Sequence, residues 1–411
     1  MSKKVSKMTG CRSLNWIKRL TLALPLLGAS LPAAADGGVM DTLQFHGFIS
    51  QGLVYTDDNN FFGPSSEGGG SLKYTELGLN ASIRPRPDIL ISGQALSRRA
   101  GGDGREARPA LDHGVVDYQF LSGASRNAGV QLGRFKNPFG FHNQTRDVAF
   151  TRPGILLPQS IYFDRTRSLG LAADGMSVYA EERLAQGDLR FQAGVGRPQV
   201  GEDLEQVLGL YQAPGSMQGR FSAIGQILYE HDGGRFVTAL SAARVRARFD
   251  SDEGGPGDAD FKFQPWILSM QYNTENWSVT GEFALRKSSL EGLAGPAAAG
   301  NFDITGESAY LQYTRRVGPA WQWFLRYDVL YLDRDDRSGS DFADATGLPD
   351  HSRFARDMTV GMQWRLHPQV LLSAEYHHVD GTGWLPGRDN PDPGATERRW
   401  NMLLLQTSLR F

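Results

Sequence analysis

The sequence predicts an all-β protein, a sixteen-stranded antiparallel transmembrane β-barrel with short turns at one end and long loops at the other. Three observations lead to this prediction. Segments of about ten residues alternate between apolar and polar side chains, the connections between them alternate between short and long, and the chain begins with an export signal. Together they favour strands that close on one another in a membrane.

Residues 1–35 have the three-part organisation of a secretory signal peptide. The basic segment MSKKVSKMTGCRSLNWIKRL contains no acidic residue and precedes the apolar TLALPLLGASLP, and AAAD follows, so we expect cleavage after Ala35. Residues 36–411 then form the barrel domain. Cys11 is the only cysteine and lies in the signal, so the exported chain forms no disulfide.

Charge and hydropathy exclude two classes of protein. The full chain has a formal net charge of −2, and removal of the basic signal makes it more acidic, which disfavours a nucleic-acid partner. The mean hydropathy is −0.37, and no later apolar run approaches the length of about 18 residues that a spanning helix needs. The length alone fits either two soluble domains or one large all-β unit.

The alternation has period two, which places successive side chains on opposite faces of a strand. In WSVTGEFALR, for example, Trp277, Phe283 and Leu285 share one face, and Glu282 and Arg286 share the other. The predicted strands lie near residues 43–55, 72–84, 88–98, 112–121, 128–136, 174–183, 188–197, 219–229, 235–248, 261–272, 276–286, 306–316, 320–332, 355–366, 369–379 and 399–411.

The connections indicate how these strands are arranged. RPRP, SGASRN, LAQG, HDGG, NTE, VGP and HP interleave with longer segments of roughly 11 to 37 residues. A soluble β-sandwich is the alternative, but nothing in a sandwich separates short from long connections so strictly. A closed up-and-down barrel does separate them, and closure also gives every backbone N–H and C=O a partner, as lipid requires.

The chain ends in another alternating strand, WNMLLLQTSLRF, in which Leu403, Leu405 and Phe411 share a face. A last strand that runs to the short-turn end places Phe411 at a membrane interface, where aromatic side chains concentrate. In a sandwich the same aromatics would form the core. The further predicted rim aromatics are Trp277, Trp321, Trp323, Trp364 and Tyr272 at the lower, short-turn rim, and Tyr331 and Phe249 at the upper rim.

The export signal, the sixteen segments and the terminal Phe411 together resemble the outer-membrane porins of Gram-negative bacteria. GRFKNPFGF, Gly133–Phe141, is also similar to a strand-end motif of the phosphate-selective porin O and P group. The resemblance implies an outer-membrane channel for passive diffusion of small hydrophilic solutes, with short periplasmic turns and long external loops. It also implies a homotrimer in contact with lipid and lipopolysaccharide, no enzymatic activity, no cofactor, and a role for Phe411 as the signal that the barrel-assembly machinery reads.

Porins of this size narrow their pore with the third external loop, and the third long connection here, Asn137–Ala173, is the longest of the eight. It contains RPGILLPQSIYF, an apolar run that suits packing against an inner wall. A solvated surface loop with scattered charges is the alternative. The charged residues expected to border the constriction are Arg146, Asp147, Arg152, Asp164, Arg165 and Arg167.

A run of arginines is the most pointed candidate for solute selectivity. In ARVRARFD, Arg244, Arg246 and Arg248 recur at period two, and the residues between them are apolar enough for lipid, so we expect the arginines to face the lumen. The same face assignment turns more arginines than acids inward, which predicts a preference for anions. The further pore-lining candidates are Arg98, Arg190 and Arg326.

The alternatives to a channel are an outer-membrane lipid hydrolase and a hydrophobic-substrate transporter. No nucleophile elbow or Ser–His pair stands out for the first, and the second would need an N-terminal plug and an apolar lumen. No metal site is predicted: His377 and His378 are adjacent on a strand and point to opposite faces. The acidic loop at 250–260 lacks the spacing of a calcium loop.

Overall fold

One closed antiparallel sheet of sixteen strands dominates the computed structural model, which describes residues 38–101 and 107–411. Each strand pairs with its neighbours along the chain, and the first strand pairs with the last. The predicted signal peptide lies outside the described residues. The strands are β1 Gln44–Thr56, β2 Ser71–Arg86, β3 Ile89–Arg99, β4 Ala110–Ser122, β5 Arg126–Lys136, β6 Ala172–Leu184, β7 Gly187–Pro198, β8 Gly215–His231, β9 Phe236–Ser251, β10 Ala259–Asn273, β11 Trp277–Glu291, β12 Phe302–Val317, β13 Trp321–Tyr331, β14 Phe354–His367, β15 Val370–Gly381 and β16 Arg399–Arg410.

The predicted fold class is confirmed, and each of the sixteen expected strands is present. The main difference is that β8 to β12 extend further at the long-loop end than the alternation indicated. There Asp260 pairs with Glu291 and Lys262 pairs with Ser289 in an unbroken ladder. The outward side chains in this stretch are polar, so hydrogen bonding continues after the apolar pattern has ended.

The connections alternate in length as expected, and the longest joins β5 to β6 over residues 137–171. Several long connections contain short helices. None of the helices within residues 38–101 and 107–411 is both long and apolar enough to cross a bilayer. The α-helices are α1 Arg167–Leu171, α2 Glu202–Val207 and α3 Ser340–Thr346, and the 3₁₀-helices are Val39–Thr42, Ala149–Thr151, Gly295–Gly300, Asp350–Arg353 and Pro393–Ala395.

The two faces of the barrel wall differ in polarity. On β14, the outward Met358, Val360 and Met362 are each about half exposed, whereas the inward Asp357 and Thr359 are buried. This arrangement is the reverse of a soluble protein, since the apolar side chains lie outside and the polar ones inside. It is the arrangement that a membrane-spanning barrel requires.

Aromatic side chains form a girdle around the short-turn end of β10 to β14. Trp321 and Trp364 stack with their ring centroids 4.9 Å apart and their planes 6° from parallel. In a second row of rings, the ring centroid of Tyr272 lies 5.7 Å from that of Trp277. Trp277 also stacks on Tyr313. The rim is therefore occupied by the residue types that favour a membrane interface.

One rim aromatic was predicted wrongly. Phe249 faces the barrel interior and is fully buried, in a cluster with Leu204 and Met217. Tyr331, by contrast, lies on the outer face at the long-loop end of β13.

The seam between β1 and β16 has a close aromatic contact. Phe411 and Gly47 exchange backbone hydrogen bonds of 3.0 and 3.1 Å, and the Phe411 ring lies over Gly47. A Cβ atom on Gly47 would be 2.3 Å from the ring carbon Cζ. Glycine at this position therefore allows the terminal ring to pack on the outer face of the first strand.

We expect Gly47→Ala to push the Phe411 ring off the seam and to lower the free energy of unfolding by about 1 kcal/mol. Equilibrium urea titration in detergent micelles measures the change. Gly225→Ala is the matched control, because a Cβ atom there has no neighbour closer than 3.5 Å. Equal effects of the two changes would contradict the packing argument.

Candidate functional site: the constriction loop and the lumen

Residues 137–171, which we name the constriction loop, enter the barrel at their base through a closed neck. The N–H of Asn137 donates to the C=O of Leu171 at 3.1 Å. The side chain of Asn143 donates to the C=O groups of Asn137 and Gly170 at 3.0 and 2.9 Å. The residues between these points therefore project together into the lumen.

Glu282 on β11 holds one part of the loop. Its carboxylate accepts hydrogen bonds from the N–H of Phe141 at 2.9 Å and from the hydroxyl of Tyr162 at 2.6 Å. The hydroxyl of Ser269 donates a further bond of 2.5 Å. The Glu282 carboxylate is buried on the barrel wall, and burying an isolated charge costs free energy. The three hydrogen-bond donors offset that cost.

Two more wall carboxylates hold the tip of the loop. Glu375 on β15 accepts from the N–H groups of Ile155 and Leu156 at 2.5 and 3.1 Å. Asp328 on β13 accepts from the N–H of Ser160 at 3.2 Å. The tip thus reaches β13 and β15, on the wall opposite its own base between β5 and β6.

An ion-pair network on β2 and β3 holds the other side of the loop. Glu76 lies 3.1 Å from Nε of Arg98 and 2.8 Å from Nη2 of Arg152. Arg98 also lies 2.8 Å from Asp164. All four side chains are at least nine-tenths buried, where charges are stable only if they are paired and hydrogen-bonded.

The network continues toward the base of the loop. Arg146 lies 3.6 Å from Asp164 and donates to backbone carbonyl groups of the loop. Arg167 pairs with Asp147, which also pairs with Lys136 at the end of β5. Most charges predicted to border the constriction are therefore engaged in fixing the shape of the loop.

Arg165 differs from the other charged residues of the loop. It is only partly buried and forms no ion pair with any described residue. Its Cζ lies 5.9 Å from the ring centroid of Phe163, and the Cζ of Arg286 on β11 lies 4.7 Å from the same centroid. Burial, and secondly the charge of Arg353, lower the pKa of Arg165 to about 10, so it stays protonated at neutral pH.

A cavity of about 770 Å³ lies between the constriction loop, β10 to β12 and the long loops that follow β7, β11 and β13. Arg165 and Arg286 lie on its wall. Most of the remaining wall is apolar. The apolar residues that line it include Phe139, Ile161, Phe163, Leu169, Leu204, Leu208, Phe261, Phe263, Phe302, Ile304, Leu332 and Phe342.

Two other predicted pore-lining arginines also point inward, but in different settings. Arg190 is about half exposed near the short-turn end and lies 3.1 Å from Glu230 and 3.5 Å from Glu181. Arg326 is buried and donates to the C=O of Leu156 at 3.1 Å. The first is a paired charge at one mouth of the barrel, and the second supports the loop tip.

The prediction that Arg244, Arg246 and Arg248 line the lumen is wrong. On the same strand, the hydroxyl of Ser241 accepts a hydrogen bond of 3.1 Å from the N–H of Gly140 in the constriction loop. The odd-numbered residues of this part of β9 therefore face inward. The three arginines, at even positions, lie on the outer face of the barrel.

The reason for the error is the depth of this segment along the barrel. Val245, Ala247 and Phe249 are buried inside against loop residues such as Leu169 and Leu204. At the long-loop end the interior is filled by apolar loop residues, and the outer face is polar. The period-two pattern is real, but its usual polarity is reversed where the strand extends beyond the apolar band.

The sequence did not reveal the anchoring role of the wall carboxylates. Glu282, Asp328 and Glu375 lie on the inner face, and their hydrogen-bond partners in the constriction loop lie 120 to 220 residues away along the chain. No local pattern reports such contacts.

His377 and His378 point to opposite faces as expected, and within residues 38–101 and 107–411 no group of three or more histidine, cysteine or acidic side chains could hold a metal ion.

No protein-family model and no curated protein matches the chain. Solved structures do match it. An anion-selective porin from Comamonas acidovorans has a TM-score of 0.55 at 14% identity, covering 90% of this chain and 99% of the other. The outer membrane channel DcaP of Acinetobacter baumannii has a TM-score of 0.53 at 12% identity, with 90% and 97% covered. The trimer form of OmpT, an outer membrane protein of Vibrio cholerae, has a TM-score of 0.53 at 10% identity, with 90% and 99% covered. These similarities show a shared barrel fold.

We expect Glu76→Gln to destabilise the barrel by about 3 kcal/mol, because it leaves Arg98 and Arg152 buried without their shared carboxylate. Glu230→Gln is the matched control: it removes a partly exposed partner of Arg190 and should cost less than about 1 kcal/mol. Urea titration in detergent micelles gives both values. If Glu76→Gln lowers the free energy of unfolding no more than the control does, the network does not hold the loop.

Proposed function

We propose that the protein is an outer-membrane porin, a water-filled channel for passive diffusion of small hydrophilic solutes. The observation that carries the proposal is a closed barrel with an apolar outer band, a polar inner wall and a loop that crosses its lumen. A barrel of this kind satisfies its backbone in lipid and leaves a polar passage inside. The solved structures with the same fold that are described as an anion-selective porin and an outer membrane channel support the proposal.

The proposed channel prefers anions. Arg165 and Arg286 bring two positive charges to the region of the loop, and neither forms an ion pair with a described carboxylate. The acids nearby are engaged: Glu282, Glu375 and Asp328 accept hydrogen bonds from the loop. These hydrogen bonds hold the carboxylates in place but do not cancel their charge, so the proposed anion preference rests on Arg165 and Arg286, which lie on the cavity wall.

Three further features belong to the same proposal. The protein assembles as a homotrimer, which the trimer form of a structure with the same fold supports. Phe411 serves as the assembly signal, and the outer face contacts lipopolysaccharide. The similarity of Gly133–Phe141 to the phosphate-selective group supports a general preference for anions. It does not support specificity for phosphate, because the sequence has no lysine-rich external cluster.

The test is the zero-current potential of the refolded protein in a planar bilayer across a KCl gradient. For the unmodified protein we expect discrete conductance steps and a zero-current potential that favours chloride. For the double variant Arg165→Gln with Arg286→Gln we expect that potential to move at least halfway to zero, because the local positive charge is removed.

The triple change Arg244→Gln, Arg246→Gln and Arg248→Gln is the control, and it should leave the potential nearly unchanged because these side chains lie outside the barrel. A cation-favouring potential in the unmodified protein would overturn the anion preference, and the absence of conductance steps would overturn the channel.

A further inference from the structure

The apolar wall of the 770 Å³ cavity is not explained by a passage for small hydrated ions. Phe163 of the constriction loop, Phe261 and Phe263 of β10, and Phe302 and Ile304 of β12 all line it. Water and inorganic ions gain nothing from such a wall, and apolar constrictions tend to lose water. A ligand with an apolar body, however, would be stabilised by burial here.

The cavity wall carries cations that have no ion-pair partner among the residues that the structure describes. Arg286 is 6% exposed, and its Nε and Nη2 atoms have no hydrogen-bond partner within residues 38–101 and 107–411. The acid that acts on it electrostatically is Asp328, whose Oδ2 already accepts a hydrogen bond from the N–H of Ser160. Arg165 forms no ion pair with a described residue, so two guanidinium groups converge on the ring of Phe163 without a counterion from this part of the chain. A buried cation without a partner is costly, and a bound anion would remove that cost.

Acidic residues also lie on the cavity wall. Asp333, Asp335, Asp336 and Asp341 line it on the long loop between β13 and β14. Arg353 also lies there, and Asp333 and Asp336 are the acids that act on it. Because those acids offset Arg353 and repel anions, an anion in the cavity has its favourable position at Arg165 and Arg286.

We propose that this cavity is a binding site for an aromatic carboxylate that passes through the channel. The carboxylate lies on Arg165 and Arg286, where guanidinium groups can donate charge-assisted hydrogen bonds. The aromatic ring packs among Phe163, Phe261 and Phe263 in offset or edge contacts. The cavity volume is within the range of sites for small organic ligands. The inference rests on the proposed channel function and names its substrate class.

Benzoate is the probe, measured by isothermal titration calorimetry with the folded protein in detergent micelles. We expect saturable binding of benzoate. Acetate lacks the ring and benzamide lacks the charge, so each should bind at least about tenfold more weakly. Equal binding of acetate and benzoate would overturn the role of the aromatic wall, and equal binding of benzamide would overturn the role of the arginines.

The variants separate this site from general charge. Arg286→Gln should weaken benzoate binding by about tenfold or more. Phe163→Ala should weaken the binding of benzoate while leaving the binding of acetate unchanged. Arg190→Gln is the matched control, since it removes an inward arginine at the short-turn end and should not alter benzoate binding. Migration of unheated samples on gels, which differs between folded and unfolded barrels, shows that each variant is folded.

Conductance in KCl distinguishes the failure of this inference from the failure of the proposed function. A protein that conducts but shows no saturable benzoate binding is a porin without this site, and the inference fails. A protein that binds benzoate but never conducts has the site without the channel, and the proposed function fails. Loss of benzoate binding in Arg190→Gln equal to that in Arg286→Gln would also overturn the site.

Discussion

The pairing of backbone N–H and C=O groups within a membrane is the constraint on which the rest of the structure depends. An open sheet would leave two edges unpaired, so the antiparallel strands close, with β1 paired to β16. Closure creates an interior that lipid does not reach. Polar side chains can therefore occupy the inner face while apolar ones cover the outside, and the chain needs no disulfide to hold its ends together.

The polar interior in turn allows a long loop to enter the barrel, but only if the loop satisfies its own polar groups. Wall carboxylates such as Glu282 and Glu375 accept hydrogen bonds from backbone N–H groups of the loop. The ion-pair network around Glu76 offsets the charge of Arg98 on the wall and of Arg152 in the loop. Most charges therefore serve to position the loop. Arg165 and Arg286 have no ion-pair partner in the part of the chain that the structure describes, and for this reason they are the groups we connect with solute selectivity.

Much of this organisation can be predicted from sequence, because a strand that separates lipid from water must alternate with period two. The sixteen strands, the alternating connections, the aromatic lower rim and the long third loop all follow from local pattern and spacing. The arginines of β9 show the limit. Arg244, Arg246 and Arg248 alternate with apolar residues, but the pattern does not reveal whether the apolar side faces lipid or faces packed loops.

The sequence by itself determined the strands, their antiparallel order and the closed barrel, because these depend on near-neighbour patterns and on the requirements of lipid. The tertiary structure alone decided which face of β9 points inward, which carboxylates hold the constriction loop and which arginines of the cavity wall have no ion-pair partner among the described residues. The physical reason is distance along the chain. Contacts such as Glu375 with Ile155 or Arg152 with Glu76 join segments 220 and 76 residues apart, and only the folded barrel brings them together.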